Sequence, residues 1–305
     1  MQQVSNEQKV LISEINRLKK EKNAVILVHN YQRPEIYEVA DFIADSLELS
    51  RKAAETKADI IVFCGVKFMA ETAKILNPEK TVLLPSLEAG CSLADMATVE
   101  EVKRMKNKFP DAAVVSYVNT NADVKAVSDI CCTSANAVKV VNSLPQDEII
   151  FLPDKNLGRY VQSKSKKKIH LWEGFCAVHQ DLNSETLLTF KREHPDAKII
   201  AHPECKTDIL DVADYVCGTG GMAKFARQDE GGDFIVVTEC GMTNKLREDV
   251  PGKHFYSFCN LCAYMKATTL ELVLQSLKEE KQRIELPEEI IARAKKSIVR
   301  MLEAA

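Results

Sequence analysis

The chain is predicted to be an α/β protein made of three similar small αβα domains, each with a parallel sheet, arranged around a pseudo-threefold axis. Three observations predict it. The segments VADFIADS (39–46), VSDICCTS (127–134) and VADYVCGT (212–219) repeat one pattern, an apolar stretch interrupted by Asp and closed by a hydroxyl residue. Short runs rich in β-branched residues alternate with helix-like stretches, and none shows the sustained apolar/polar alternation of a sheet with one wet face. A length of 305 residues exceeds one ordinary core and suits two or three domains.

Asp41, Asp129 and Asp214 set the register of the repeat. Twelve residues before each lie His29, Tyr117 and His202, at the ends of the apolar runs AVILVHN, AVVSYVN and KIIAHPE. Five residues after each lie Ser46, Ser134 and Thr219, so strand end and hydroxyl are 17 residues apart in every copy, without a gap. The VAD-type segment reads as a second strand. A third follows in IIVF (60–63), IIFL (149–152) and FIVV (234–237), then a helix-like segment, then a fourth in TVLLP, KIHLW and HFYSF. Each copy is thus a layered α/β unit of roughly 85 residues. The first domain is expected to take residues 1–92 with 280–305, the second 93–177 and the third 178–279. The opening helix carries Val10, Leu11, Ile15 and Leu18 at helical spacing for packing on a sheet, and the closing segment IIARAKKSIVRML is expected to return to the first domain.

Composition narrows the function. Apolar residues at 46% and charged residues at 28% describe a folded globular chain. A formal charge of -3 gives no basic field for nucleic acid or an anionic membrane. The first residues carry charge where a signal peptide needs an apolar block, and no apolar stretch approaches the ~18 residues of a membrane span, so a cytoplasmic location is expected. In a reducing compartment ten cysteines are not expected to form a disulfide framework. Metal ligation, catalysis or core packing must account for them.

In open parallel sheets, functional groups gather beyond the carboxyl ends of the strands, which is where His29, Tyr117 and His202 fall. Ser46, Ser134 and Thr219 are expected to be the N-caps of the following helices, where free N–H groups and a partial positive charge suit phosphate or carboxylate. One cysteine per copy follows the last strand: Cys91 in EAGCSL, Cys176 in EGFCAVH and Cys262 in NLCAYM. If the strand ends face inward around a threefold axis, three thiolates meet at one centre. Soft sulfur ligands favour an iron–sulfur cluster or zinc over magnesium or calcium. A 4Fe-4S cluster on three cysteines leaves one iron open as a Lewis acid, whereas structural zinc takes four protein ligands. Cluster, zinc and no metal all remain open on spacing alone. Cys64, Cys131, Cys132 and Cys217 read as core, and Cys205 and Cys240 as residues bordering the cavity. Cys259 stands three residues before Cys262, and a disulfide between the two would compete with metal binding.

The motifs HNYQ (29–32), DSLELS (45–50), GVKFMAE (65–71), YVNT (117–120), CTSANAV (132–138), PDKNLG (153–158), CAVHQ (176–180), HPEC (202–205) and GTGGM (218–222) together resemble the quinolinate synthase family in their order and spacing, nearly end to end. The resemblance implies a three-domain fold and a 4Fe-4S cluster on Cys91, Cys176 and Cys262. It also implies a reaction of NAD biosynthesis, the condensation of iminoaspartate with dihydroxyacetone phosphate to quinolinate, phosphate and water. Its partners are then those small molecules and an aspartate-oxidising enzyme that supplies iminoaspartate, with neither nucleic acid nor membrane. Ser46, Ser134 and Thr219, with His29 and Asn119, are expected to hold carboxylates and phosphate. Tyr31, Glu204 and His202 are candidates for proton transfer. The resemblance adds Tyr117 and His179 to the same substrate cavity, with His202 and Glu204. The competing reading is a non-enzymatic iron–sulfur or zinc redox sensor, for which such polar strand ends are needless; a third is a zinc-stabilised sugar-phosphate-binding protein.

Overall fold

A computed structural model describes residues 5–304. Twelve strands form three four-stranded sheets, each drawn from one stretch of chain. The first holds β1 (Ala24–His29), β2 (Phe42–Ala44), β3 (Ile60–Cys64) and β4 (Thr81–Leu83). The second holds β5 (Ala113–Tyr117), β6 (Ile130–Cys132), β7 (Glu148–Leu152) and β8 (Lys168–Leu171). The third holds β9 (Lys198–Ala201), β10 (Tyr215–Val216), β11 (Asp233–Glu239) and β12 (His254–Asn260). Their orders are β2-β1-β3-β4, β6-β5-β7-β8 and β10-β9-β11-β12, one topology three times, and every pair within the sheets is parallel. The predicted α/β class and its three parallel sheets are therefore present.

Continuous apolar runs suit these strands because each sheet is covered on both faces. In β1, Val25 and Leu27 enter a core shared by all three sheets, while Ile26 and Val28 enter a core private to the first. In β7, Ile149 and Phe151 face the shared core and Ile150 and Leu152 the private one. In β11, Phe234 and Val236 alternate with Ile235 and Val237 in the same way. The shared core welds the three units together. Each fully buried side chain of this size contributes about 1.5–3 kcal/mol relative to exposure.

The three aspartates of the repeat have a structural task. Asp41, Asp129 and Asp214 each accept, through one carboxylate oxygen, the N–H of a first-strand residue fifteen positions earlier: Ile26 at 2.8 Å, Val114 at 2.8 Å and Ile199 at 2.7 Å. Each returns its own N–H to the carbonyl of that same residue, at 2.9, 3.0 and 2.9 Å. This two-point tie fixes where the short second strand begins against the first.

Three expectations need correction. Ser46 and Thr219 are the first helical residues rather than the caps: Asp45 caps the helix Ser46–Glu55, accepting from Leu47 and Glu48, and Gly218 precedes the helix Thr219–Gln228. In the second sheet the helix Ala137–Ser143 starts after Asn136, two residues beyond Ser134. The opening helix Asn6–Glu21, capped by Ser5 with Gln8, buries Ile15 and Leu18, but Val10 is 70% exposed because it lies on the wet face. The closing helix Glu288–Glu303 packs on the helix Lys67–Leu76 of the first unit but places its hydrogen bonds on the second: Ser297 donates to the Lys125 carbonyl, Arg300 to the Asp129 carbonyl, and Asn136 donates to Met301. No described helix is long and apolar enough to cross a membrane.

Replacing Asp129 by Ala should cost about 1.5–3 kcal/mol, the range for a hydrogen bond to a charged group, read as a lowered midpoint in chemical denaturation. An unchanged midpoint would show that the tie carries no stability.

Candidate active site and metal centre

The carboxyl ends of the first strands of all three sheets open into one cavity. Its walls include every residue expected to bind substrate, metal or protons: His29, Tyr31, Ser46, Tyr117, Asn119, Ser134, His179, His202, Glu204 and Thr219, together with Cys91, Cys176 and Cys262. Cys205 and Cys240, expected to border it, do not line it, Cys205 being buried in the core of the third unit and Cys240 bound in a disulfide. Close backbone packing brings the units together around it. A Cβ on Gly218 would lie 2.8 Å from Ser134 Oγ and one on Gly220 2.6 Å from Asp45 Oδ2, so the GTGG loop can approach its neighbours only without side chains at these positions. Asn30 donates to Thr219 Oγ1 at 3.0 Å, tying the first unit to the third.

The three cysteines are presented by one repeated construction. The carbonyl two residues before each accepts an N–H from the turn after the third strand: Ala89 from Lys67 at 2.7 Å, Gly174 from Lys155 at 2.8 Å and Asn260 from Cys240 at 3.2 Å. Each cysteine carbonyl then accepts the N–H four residues on, from Asp95, Gln180 and Lys266. Two of the three are fixed further by a buried carboxylate. Asp154 accepts the Cys176 N–H at 3.0 Å and Glu239 accepts that of Cys262 at 3.1 Å. Lys266 pairs with Glu239 at 3.1 Å and also donates to the Tyr31 carbonyl, joining this loop to the first unit. The position of Asp154 is taken in the first unit by Val66, which has no carboxylate to offer.

A polar chain lines the cavity beside Cys176. Tyr31 Oη lies 2.7 Å from Thr238 Oγ1, which lies 2.8 Å from His179 Nε2. His179 Nδ1 is 3.3 Å from Glu204 Oε2 but out of hydrogen-bond alignment, and it has no partner. Glu204 Oε2 is 3.1 Å from His202 Nδ1, and His202 Nε2 is 3.2 Å from Ser134 Oγ. The Tyr31 N–H donates to His29 Nδ1 at 3.2 Å and the Glu204 N–H to His202 Nδ1 at 3.4 Å, so the strand-end histidine is oriented by the amide two residues on in both units.

Burial sets the protonation states. It lowers His29 to about 3, with His202 and Lys266 adding to the fall. It lowers His179 to about 4, although the Glu204 carboxylate pulls the other way. The Tyr31 and Tyr117 phenols are pushed well above their ordinary value by burial and by Glu204, so both keep their protons. Burial raises Glu204 as well, but His179 and His202 outweigh it and leave the carboxyl below its usual range. Glu204 Oε1 and Asn119 Oδ1 are buried acceptors without a protein partner, and a ligand in the cavity would satisfy them.

The cysteines suit a metal group. Burial pushes the Cys91 thiol up to about 12 and raises those of Cys176 and Cys262, so a cation is needed to draw thiolates from all three. Among the described residues the one trio of ligating atoms all within 4.8 Å of one another is Cys176, His179 and Glu204. Cys91, Cys176 and Cys262 line the same cavity without forming such a trio. The disulfide considered between Cys259 and Cys262 is not the one formed: Cys259 pairs with Cys240, and Cys262 is free. The reason is register. Cys259 lies beside Thr238 on the neighbouring strand, next to Cys240, with Cα atoms 5.0 Å apart, whereas Cys262 has already turned into the cavity.

Thr238, Glu239 and Asp154 were not singled out from the sequence. All three follow or end a third strand, in VTEC and LPDK, and polar residues closing otherwise apolar runs were the available signal.

The family model described as quinolinate synthetase A protein matches residues 13–303. The quinolinate synthase of Desulforudis audaxviator is 52% identical over 295 residues, covering 96% of this chain and 97% of that protein. Quinolinate synthase 1 of Methanosarcina acetivorans is 51% identical, covering 96% and 97%, and the quinolinate synthase of Geobacter metallireducens is 51% identical, covering 95% and 96%. With a family match across nearly its whole length and relatives at this identity, the chain belongs to the quinolinate synthetase A family.

Proposed function

We propose that this chain is a quinolinate synthase, condensing iminoaspartate with dihydroxyacetone phosphate to quinolinate, inorganic phosphate and two molecules of water. The observation that carries the reading is the meeting of Cys91, Cys176 and Cys262 with the Tyr31–Thr238–His179–Glu204 chain in one cavity. Cys91, Cys176 and Cys262 would hold a 4Fe-4S cluster, which supplies a Lewis-acidic iron without a protein ligand.

The remaining work falls to the chain's own side chains. His29 accepts the Tyr31 amide at Nδ1 and is neutral, so Nε2 carries the proton and donates to a substrate oxygen. His202 lies between Glu204 and Ser134, with Nδ1 3.1 Å from Glu204 Oε2 and Nε2 3.2 Å from Ser134 Oγ, and so links the carboxylate to a hydroxyl that can face an anion in the cavity. Thr219 opens a ten-residue helix without a side-chain cap, where free N–H groups favour carboxylate or phosphate, while Ser46 offers its hydroxyl beside Asp45, which already takes the Leu47 and Glu48 N–H groups. Asn119 adds a buried amide and Tyr117 a phenol that stays protonated. Glu204 takes protons at its unpartnered Oε1, and Tyr31 gives them. Thr238 bridges Tyr31 to His179, so a proton passes between the phenol and the imidazole without solvent, and the free Nδ1 of His179 lies 3.3 Å from the Glu204 carboxylate.

Anaerobic assay of quinolinate formation from the two substrates tests the reading, and complete inactivity of the metal-loaded chain contradicts it. Glu204→Gln should retain bound iron and lose at least about 100-fold in turnover; a variant that turns over like the parent would assign the proton transfer elsewhere. Thr238→Val should lower kcat by about 10-fold or more, the cost of leaving two buried partners unpaired, with metal content unchanged and with Thr238→Ser restoring most of the rate. Equal rates in Thr238→Val and the parent would remove Thr238 from the relay.

A further inference from the structure

One corner of the cavity is built for a different occupant. The Cys176 sulfur, a ring nitrogen of His179 and a carboxylate oxygen of Glu204 lie within 4.8 Å of one another. His179 and Glu204 are buried, at 1% and 3% exposure. Cys176 and His179 are three residues apart on the single turn Ala177–Gln180, with Cys176 at its cap, so one helical turn presents both. His179 Nε2 is held by Thr238 at 2.8 Å while Nδ1 is unpartnered, the arrangement of a histidine whose free nitrogen faces a metal and whose other nitrogen is anchored behind it. The separation of His179 Nδ1 from Glu204 Oε2 is 3.3 Å. Two ligands bound at ~2.1 Å to a tetrahedral zinc stand about 3.4 Å apart. Glu204 Oε1 is a second buried oxygen without a partner. Cysteine, histidine and carboxylate together form a donor set that zinc accepts and magnesium or calcium does not, with the fourth position left to water.

We propose that a chain lacking the cluster binds one Zn2+ between Cys176, His179 and Glu204, and that zinc and cluster exclude each other because both claim Cys176. The site itself stands on geometry; the exclusion rests on the functional reading that Cys176 holds the cluster. Cys91 and Cys262 lie outside the trio, so a single ion settles in this corner rather than among three thiolates. Zinc here would also engage His179 and Glu204, removing the proton-transfer wall and the cluster seat in one event.

The test begins with metal-free, reduced full-length chain under anaerobic conditions, titrated with Co2+ as the spectroscopic stand-in and then with Zn2+. One equivalent should bind, with the visible bands of tetrahedral cobalt and a thiolate charge-transfer band, and Zn2+ should displace it. Cys176→Ala and His179→Ala should lose the bands and Glu204→Gln should weaken binding at least about 10-fold, while Cys91→Ala and Cys262→Ala bind like the parent. Circular dichroism checks each fold, and His179→Gln serves where His179→Ala does not fold. Loss of binding in Cys91→Ala or Cys262→Ala equal to that in Cys176→Ala, or parent-like binding in a folded His179 variant, overturns the site. In a second arm, chain preloaded with one equivalent of Zn2+ should form at least about 10-fold less cluster absorbance from iron and sulfide than metal-free chain, with recovery after chelation. Undiminished assembly with zinc still bound overturns the exclusion. A metal-free chain that never assembles a cluster overturns the functional reading and the exclusion with it, while the cobalt titration alone decides the site.

Discussion

The tie between each repeat aspartate and the first strand is the constraint from which the site follows. A second strand of two or three residues has too few ladder bonds to choose its own register. By taking both the N–H and the carbonyl of one first-strand residue, Asp41, Asp129 and Asp214 choose it. The hydroxyl five residues on is then carried to the same level as the strand-end residue twelve positions before. Repeated in three sheets welded by a shared core, this brings Ser46, Ser134 and Thr219 and His29, Tyr117 and His202 to a single cavity.

Upon that common frame the three units have diverged in chemistry. All three hold their cysteine by the same pair of backbone bonds, but Asp154 and Glu239 add carboxylates in the second and third units, where the first has Val66. The proton-handling groups concentrate on the third unit: His202 and Glu204 after β9, and Thr238 at the end of β11, reached by Tyr31 from the first and His179 from the segment between the second and third. A threefold scaffold thus supplies three cysteines and three hydroxyls, while its proton-handling groups follow no threefold pattern. Symmetry supplies the positions, and the side chains at those positions break it.

Much of this was legible in the sequence because parallel strands covered on both faces write themselves as short apolar runs, and an ungapped repeat fixes which residue ends each run. His29, Tyr117, His202 and the three cysteines could be placed that way. The aspartates that defined the register could not be assigned a task, because their bonds go to backbone fifteen residues away and leave no mark on residue type. Thr238 was missed for a related reason: a hydroxyl at the end of an apolar strand reads as an ordinary boundary until Tyr31 and His179 are seen on either side of it. The partner of Cys259 depended on β11 lying beside β12, a tertiary fact, so local CxxC spacing pointed to the wrong sulfur. The first of the three helix caps shifted by one residue because Asp45 takes the capping bonds that a serine could also have taken.

The central claim is that sulfurs from three units act as ligands to one inorganic core. Iron and acid-labile sulfide analysis of anaerobically purified chain tests it most directly, alongside Cys91→Ala, Cys176→Ala and Cys262→Ala prepared in the same way. A brown protein with four irons and four sulfides per chain, and loss of both in each single variant, is the expected result. A colourless parent, or full iron and sulfide in any one of the three variants, contradicts it.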